Sequence, residues 1–151
     1  MKSKFIYPVK EFDVIDGDSV RVTLDMGFSM FHRVIARLSG IDTPELRRRA
    51  QKKAGLVAKS FTTDWFVERF DSKKEHTVMF ESISRDKYAG RVGGDFFVFI
   101  PNGDGGVRRF GQTLSNHLKA KGVARIYTGG KKEKWTAKDL NSIEKLRREE
   151  G

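Results

Sequence analysis

The sequence predicts an α+β fold, a five-stranded Greek-key barrel carrying about three helices. Three observations predict it. Short runs alternate apolar and polar residues between turn-forming clusters, one stretch near residue 60 has helical spacing, and the chain order is strands, helix, strands, helix, helix. A barrel with added helices is one economical way to close strands in that order.

Residues 9–24 read as strand, turn and strand. Val14 and Ile15 lead into the turn-type cluster Asp16-Gly17-Asp18-Ser19, after which Val20, Val22 and Leu24 alternate with Ser19, Arg21 and Thr23. Asp25-Met26-Gly27 is a second turn signal. Residues 29–38 alternate again, with Val34, Ala36 and Leu38 on one face and Arg33, Ile35 and Arg37 on the other. Pro44 has no amide donor and biases Thr43 toward extended geometry, so 39–45 is a rigid loop, followed by the basic run Arg47, Arg48, Arg49, Lys52, Lys53.

From Lys53 to Phe70 the apolar positions Leu56, Phe61, Trp65 and Phe66 have helical spacing. Thr77–Ile83 reads as a strand, 84–90 as a polar turn, and Arg91–Ile100 as a strand ending at Pro101. Asn102–Gly106 is a loop. Thr113–Lys121 is a short helix stopped at Gly122, Val123–Tyr127 a short strand, and Gly129-Gly130 a turn. Thr136–Glu150 forms a charged helix within the tail 131–151. With no repeat and no linker, 1–151 reads as one domain of ordinary size.

Hydrophobic residues make up 38% and charged residues 33%, a polar composition that is still globular. Twelve Phe against two Trp and three Tyr imply a core packed largely with Phe. The 30 Lys and Arg against 20 Asp and Glu leave +10, which favours polyanions as partners, nucleic acid or an anionic membrane surface. No apolar run is long enough to span a bilayer. Met1–Pro8 is positively charged but no apolar stretch follows, so it does not read as a signal peptide. The absence of Cys excludes disulfides and zinc–thiolate sites. The expectation is an intracellular monomer with no membrane partner.

Four stretches concentrate reactive side chains in loops or at strand ends: Asp16-Gly17-Asp18-Ser19, Arg37-Leu38, Asp42-Thr43-Pro44-Glu45 and Asp86-Lys87-Tyr88-Ala89-Gly90-Arg91. Carboxylates and carbonyls from separate loops suit a hard divalent cation. Either acidic loop alone fits a plain surface turn better than a metal site. Guanidinium groups stay protonated and present a planar donor fork suited to the charge that builds on a phosphodiester in its transition state. Taken singly, Arg37 and Arg91 are also ordinary surface arginines. Glu45, three residues after Asp42, could meet water beside a metal-bound phosphate, or simply pair with the basic residues that follow.

Together, the segments Val14–Ser19, Arg37-Leu38-Ser39-Gly40-Ile41-Asp42-Thr43-Pro44-Glu45 and Asp86–Arg91 closely resemble the staphylococcal nuclease (thermonuclease) family, over about Val9 to Tyr127. Gly111–Ala124 is similar to the late helix and turn of that family. The resemblance implies an OB-fold barrel and a calcium-dependent nuclease that hydrolyses DNA, with RNA as an open second substrate, with little sequence specificity and leaving 3′-phosphates. It implies Asp18 and Asp42 as Ca2+ ligands with the Thr43 carbonyl as a third, and Asp16 acting through water. Arg37 and Arg91 would clamp the scissile phosphate, and Glu45 would orient or deprotonate the attacking water. Lys87 and Tyr88 would contact the substrate, as would Tyr127.

Ser19 stands where the family commonly has Thr, Ala89 adds one residue before Gly90-Arg91, and Tyr127 is about one position out of register. The rival expectation is a catalytically inactive OB-fold domain that only binds nucleic acid. Such a domain has no reason to keep Asp18, Arg37, Asp42, Glu45 and Arg91 together. His32, His76 and His117 have no partner at metal-ligand spacing. Asn102–Gly106 lacks the acids of an EF-hand, and Gly129-Gly130-Lys131-Lys132 lacks the spacing of a phosphate loop. Lys131-Lys132 and Arg147-Arg148 read as solvated basic faces.

Overall fold

Alternating side chains build the first three strands. β1 (Phe5–Asp16), β2 (Ser19–Gly27) and β3 (Met30–Leu38) form an antiparallel meander in the register Val14↔Val20, Val22↔Val34 and Ser19↔Arg37. Val20, Val22, Leu24, Val34, Ala36 and Leu38 point into the core as the period of two requires. The structure is a computed structural model that describes residues 5–70, 76–85 and 91–150.

β1 begins earlier than the alternation alone suggests, because it serves two neighbours. Phe5–Pro8 pair with β5 (Thr77–Arg85), Val9–Asp16 pair with β2, and a register shift at Val9–Glu11 marks the change of partner. β5 pairs in turn with β6 (Arg91–Pro101), and β6 lies parallel to β3 with Ile35 opposite Arg91 and Leu38 opposite Gly94. That last pairing closes the five strands into a mixed barrel with the OB-like arrangement. The predicted α+β barrel with three helices is therefore present.

Two short pairings complete the sheets. β7 (Val107–Phe110) folds back on β6 after the Asn102–Gly106 turn; its four exposed residues carry no burial pattern, so nothing in the sequence marks it as a strand. β4 (Ile41–Asp42) pairs with β8 (Arg125–Ile126), within the predicted strand 123–127.

Helix α1 (Lys52–Arg69) follows a single 3₁₀ turn at Arg49–Gln51 and packs its buried face into the barrel core. Its buried stripe is Ala54, Ala58, Phe61, Thr62, Trp65 and Phe66, spaced by three and four. Leu56, expected on that stripe, is instead exposed, one position off the buried face. Phe66 stacks on Phe12 at 4.9 Å and meets Phe96 edge-on at 5.0 Å. Burying one such ring contributes about 2–3 kcal/mol. The phenylalanine-rich core is real, yet Phe5, Phe28, Phe31 and Phe110 lie exposed.

α2 (Leu114–Ala120) starts at Thr113, whose hydroxyl accepts the Asn116 amide, and stops where Gly122 takes φ +81°. α3 (Ala137–Glu150) buries Leu140 and Ile143. Its Arg147, expected on a solvated face, instead donates to Ser60 (2.7 Å) and Asp64 (2.6 Å) of α1 and lies over the Phe61 ring. No helix among the described residues is long and apolar enough to cross a membrane.

The β2–β3 turn falls later than the Asp25-Met26-Gly27 signal. Asp25 uses its carboxylate to accept the Gly27 amide (2.9 Å), which shapes a bulge, and the reversal is made by Phe28 and Ser29. Both have positive φ (+56° and +59°), the pattern of a type I′ turn, and Phe28 is fully exposed. A bulky residue in this left-handed region costs about 1 kcal/mol. The double substitution Phe28→Asn/Ser29→Gly should therefore raise stability by about 1 kcal/mol in urea denaturation. A lower midpoint would show that the Phe28 ring makes a stabilising contact.

Candidate active site

The Asp16–Ser19 turn is set by the helix beneath it. A Cβ on Gly17 would stand 2.8 Å from Ala58 Cβ and 2.9 Å from Thr43 Oγ1, so only glycine lets the turn lie flat on α1. The buried Thr62 hydroxyl donates to the Gly17 carbonyl at 2.6 Å and pins it there. The chain therefore reverses between Asp16 and Asp18 rather than running extended through them, with Asp16 paired across to Ser19. Both acids nevertheless line one cleft.

A second loop is anchored to the same helix. Pro44 is buried, and Gly55 approaches it so closely that a Cβ would meet the Pro44 carbonyl at 3.0 Å. Gln51, at the start of α1, accepts the Glu45 amide through its side chain at 2.9 Å. The β4–β8 pair holds the other end of this loop, with Asp42 opposite Arg125.

These anchors bring Asp18, Arg37, Asp42 and Thr43 together. Arg37 Nη2 lies 3.4 Å from Asp18 Oδ2 and 3.7 Å from Asp42 Oδ1, and Nη1 donates to the Leu38 carbonyl at 3.1 Å. The Thr43 amide donates to Asp18 Oδ2 at 3.2 Å. Burial pushes the Asp18 carboxyl above the usual range; the Arg37 guanidinium and the Thr43 amide oppose that shift. Arg37 points away from the barrel core, as its alternation predicts, but into this cluster rather than into open solvent.

Asp42 is 1% exposed and surrounded by cations. Arg125 donates to Oδ2 at 3.0 and 3.3 Å, and Lys132 Nζ stands 3.2 Å from Oδ1. Even so, Oδ1 accepts no hydrogen bond of adequate geometry. A buried carboxylate oxygen without a hydrogen bond, beside a second buried carboxylate and the Thr43 backbone, is an oxygen donor set suited to a hard divalent cation. No group of three or more His, Cys, Asp or Glu side chains gathers among the described residues, so such a cation would need the Thr43 carbonyl or water as further ligands.

Glu45 sits at the rim, half-exposed, paired with Arg48 (3.3 Å) and with Lys132 (3.6 Å). Arg91, at the start of β6 opposite Ile35, lines a cleft of about 240 Å³ with Asp16, Asp18, Ser19 and Glu45. Tyr127 lies beside Arg37, its ring centre 5.7 Å from the guanidinium carbon, and its hydroxyl donates to the Gly130 carbonyl at 2.6 Å. Lys87, Tyr88 and the added Ala89 lie outside the described residues.

Three participants have no site role in the sequence pattern. Arg125 reaches Asp42 only because β8 pairs with β4. Lys132, read as a solvated cation, meets both Asp42 and Glu45. Trp135 packs under the Arg125 guanidinium, 4.0 Å from its ring centre. Their signal is long-range pairing, which local periodicity does not carry. No family model matches the chain, and no curated protein matches it.

Proposed function

We propose that the protein is a calcium-dependent nuclease of the staphylococcal-nuclease type, acting on DNA and RNA backbones with little sequence preference. One observation carries the reading. Asp18 and Asp42, both buried, converge on Arg37 with Asp42 Oδ1 lacking a hydrogen bond, while Glu45 and Arg91 open onto the same cleft as Asp18. A purely binding surface needs cations at phosphates but has no use for buried acids among them.

Asp18, Asp42 and the Thr43 carbonyl would hold the calcium ion, which when bound supplies positive charge at a non-bridging phosphate oxygen. Arg37 and Arg91 hold the phosphate oxygens and stabilise the charge that grows as the fifth bond to phosphorus forms. Glu45 orients the water and accepts its proton. The water oxygen bonds to phosphorus as the bond to the 5′-oxygen breaks; that oxygen leaves with the bonding electron pair and takes a proton from solvent, so the products are a 3′-phosphate and a 5′-hydroxyl. Lys132 and Arg48 keep the Glu45 carboxylate at the rim. Contacts confined to the backbone leave the bases unread, hence the loose sequence preference.

Digestion of plasmid and single-stranded DNA in calcium, in magnesium and in EDTA tests the reading. Cleavage in calcium, lost in EDTA, is the expected result; intact DNA in calcium at every protein concentration would refute it. Calorimetry on Asp42→Ala should show calcium affinity at least tenfold weaker than in the parent, since one of two buried carboxylates is gone.

A further inference from the structure

A second cleft adjoins the one that holds Asp18 and Arg91. It encloses about 250 Å³, and the two clefts have Glu45 and Lys132 in common. A phosphodiester chain crossing Glu45 therefore leaves one cleft and enters the other.

The second cleft has the two surfaces a nucleotide needs. Arg125 is held by the Asp42 carboxylate and by the Glu133 carbonyl, so its guanidinium plane is fixed over the Trp135 ring at 4.0 Å. A pre-set guanidinium–indole pair offers a flat face against which any base can stack. Lys131 and Lys134, both exposed, line the same cleft and supply charge for a phosphate.

We propose that this cleft is a second nucleotide subsite, which holds the nucleotide adjoining the scissile phosphate, its base against the Arg125–Trp135 pair and its phosphate on Lys131 and Lys134. The proposal rests on the nuclease reading of the neighbouring cleft, and it makes a polynucleotide rather than a mononucleotide the preferred ligand. It also gives β8 and the loop after it a role in substrate length, since Arg125, Lys131, Lys134 and Trp135 all lie within 125–135.

Tryptophan emission tests it on the full chain. Of the two tryptophans, Trp65 is 1% exposed, so an added ligand reports through Trp135. A six-nucleotide single-stranded oligothymidylate, titrated in EDTA to prevent hydrolysis, should change that emission. Lys131→Ala/Lys134→Ala should weaken its binding about tenfold and flatten the slope of log affinity against log salt by about 1.4, two single-strand phosphate contacts. Lys119→Ala/Lys121→Ala removes the same charge from the α2 end of the molecule and should leave most of that slope in place.

Equal losses in the two double variants would overturn the subsite, because general attraction to a basic protein would then suffice. Unaltered emission on oligothymidylate binding would overturn it as well. Should the parent fail to bind the oligonucleotide at all in EDTA, the subsite falls, and the nuclease reading is decided separately by plasmid cleavage in calcium. Binding that depends on Lys131 and Lys134, with plasmid left intact in calcium, would retain the subsite and reject cleavage. Cleavage in calcium with oligonucleotide binding indifferent to those lysines would do the reverse.

Discussion

Replacing Arg37 by alanine is expected, on the proposed nuclease function, to slow phosphodiester cleavage about a thousandfold. The guanidinium stands between Asp18 and Asp42 and is held there by its bond to the Leu38 carbonyl. Its charge matters most when the phosphate becomes a five-bonded anion, so the loss should fall on kcat more than on binding. The structure adds a second consequence. Without Arg37, two buried carboxylates would lose the cation between them, and their mutual repulsion would rise.

Steady-state rates on single-stranded DNA in calcium, paired with gel-shift binding in EDTA, separate these effects. Binding that falls as far as the rate would show that Arg37 only grips substrate. Arg37→Lys, which keeps the charge but not the planar fork, should recover the melting temperature better than the rate. Full recovery of rate by lysine would mean that charge alone is enough.

The second large effect is on the barrel itself. Gly94 lies where β6 passes β5 so closely that a Cβ would stand 2.2 Å from the Glu81 carbonyl oxygen and 2.5 Å from the Phe80 ring. Neither neighbour is a flexible side-chain end. Gly94→Ala must push the strands apart and disturb the β3–β6 pairing at Leu38, at a cost of about 3 kcal/mol. For a domain of this length that corresponds to a fall of about 10 °C in Tm. Thermal unfolding followed by circular dichroism measures it directly. A change under 2 °C would mean that the sheet relaxes there without strain. Leu38 flanks Arg37, and the Ser39 amide donates to the Gly94 carbonyl, so a lower activity at temperatures where the variant stays folded should accompany the loss.

Local pattern accounts for much of this molecule. The alternation of Val20, Val22 and Leu24 against Val34, Ala36 and Leu38 specifies the β2–β3 faces, because a one-residue slip would turn every one of them to solvent. The same alternation places Arg37 away from the core. Thr113 and Gly122 bracket α2, since a hydroxyl cap and a left-handed residue each answer a local backbone need. The acids and arginines of the candidate site also stand in the sequence in order, as does the charge that draws a polyanion.

What the sequence by itself determined is therefore the long strands and the helices, most of their buried faces and the residue types available for phosphate chemistry, but not the short strands β4 and β7. Tertiary structure decided which of those residues meet. The parallel β3–β6 pairing that closes the barrel joins segments more than 50 positions apart, and β4–β8 joins Asp42 to Arg125 across 83 residues. Neither leaves a period in the sequence, because each is selected by the packing of the whole chain rather than by neighbours along it. For that reason Arg125 and Trp135 carry no local signal, and Lys132 reads as a solvated cation, until the fold sets them against Asp42, Glu45 and one another.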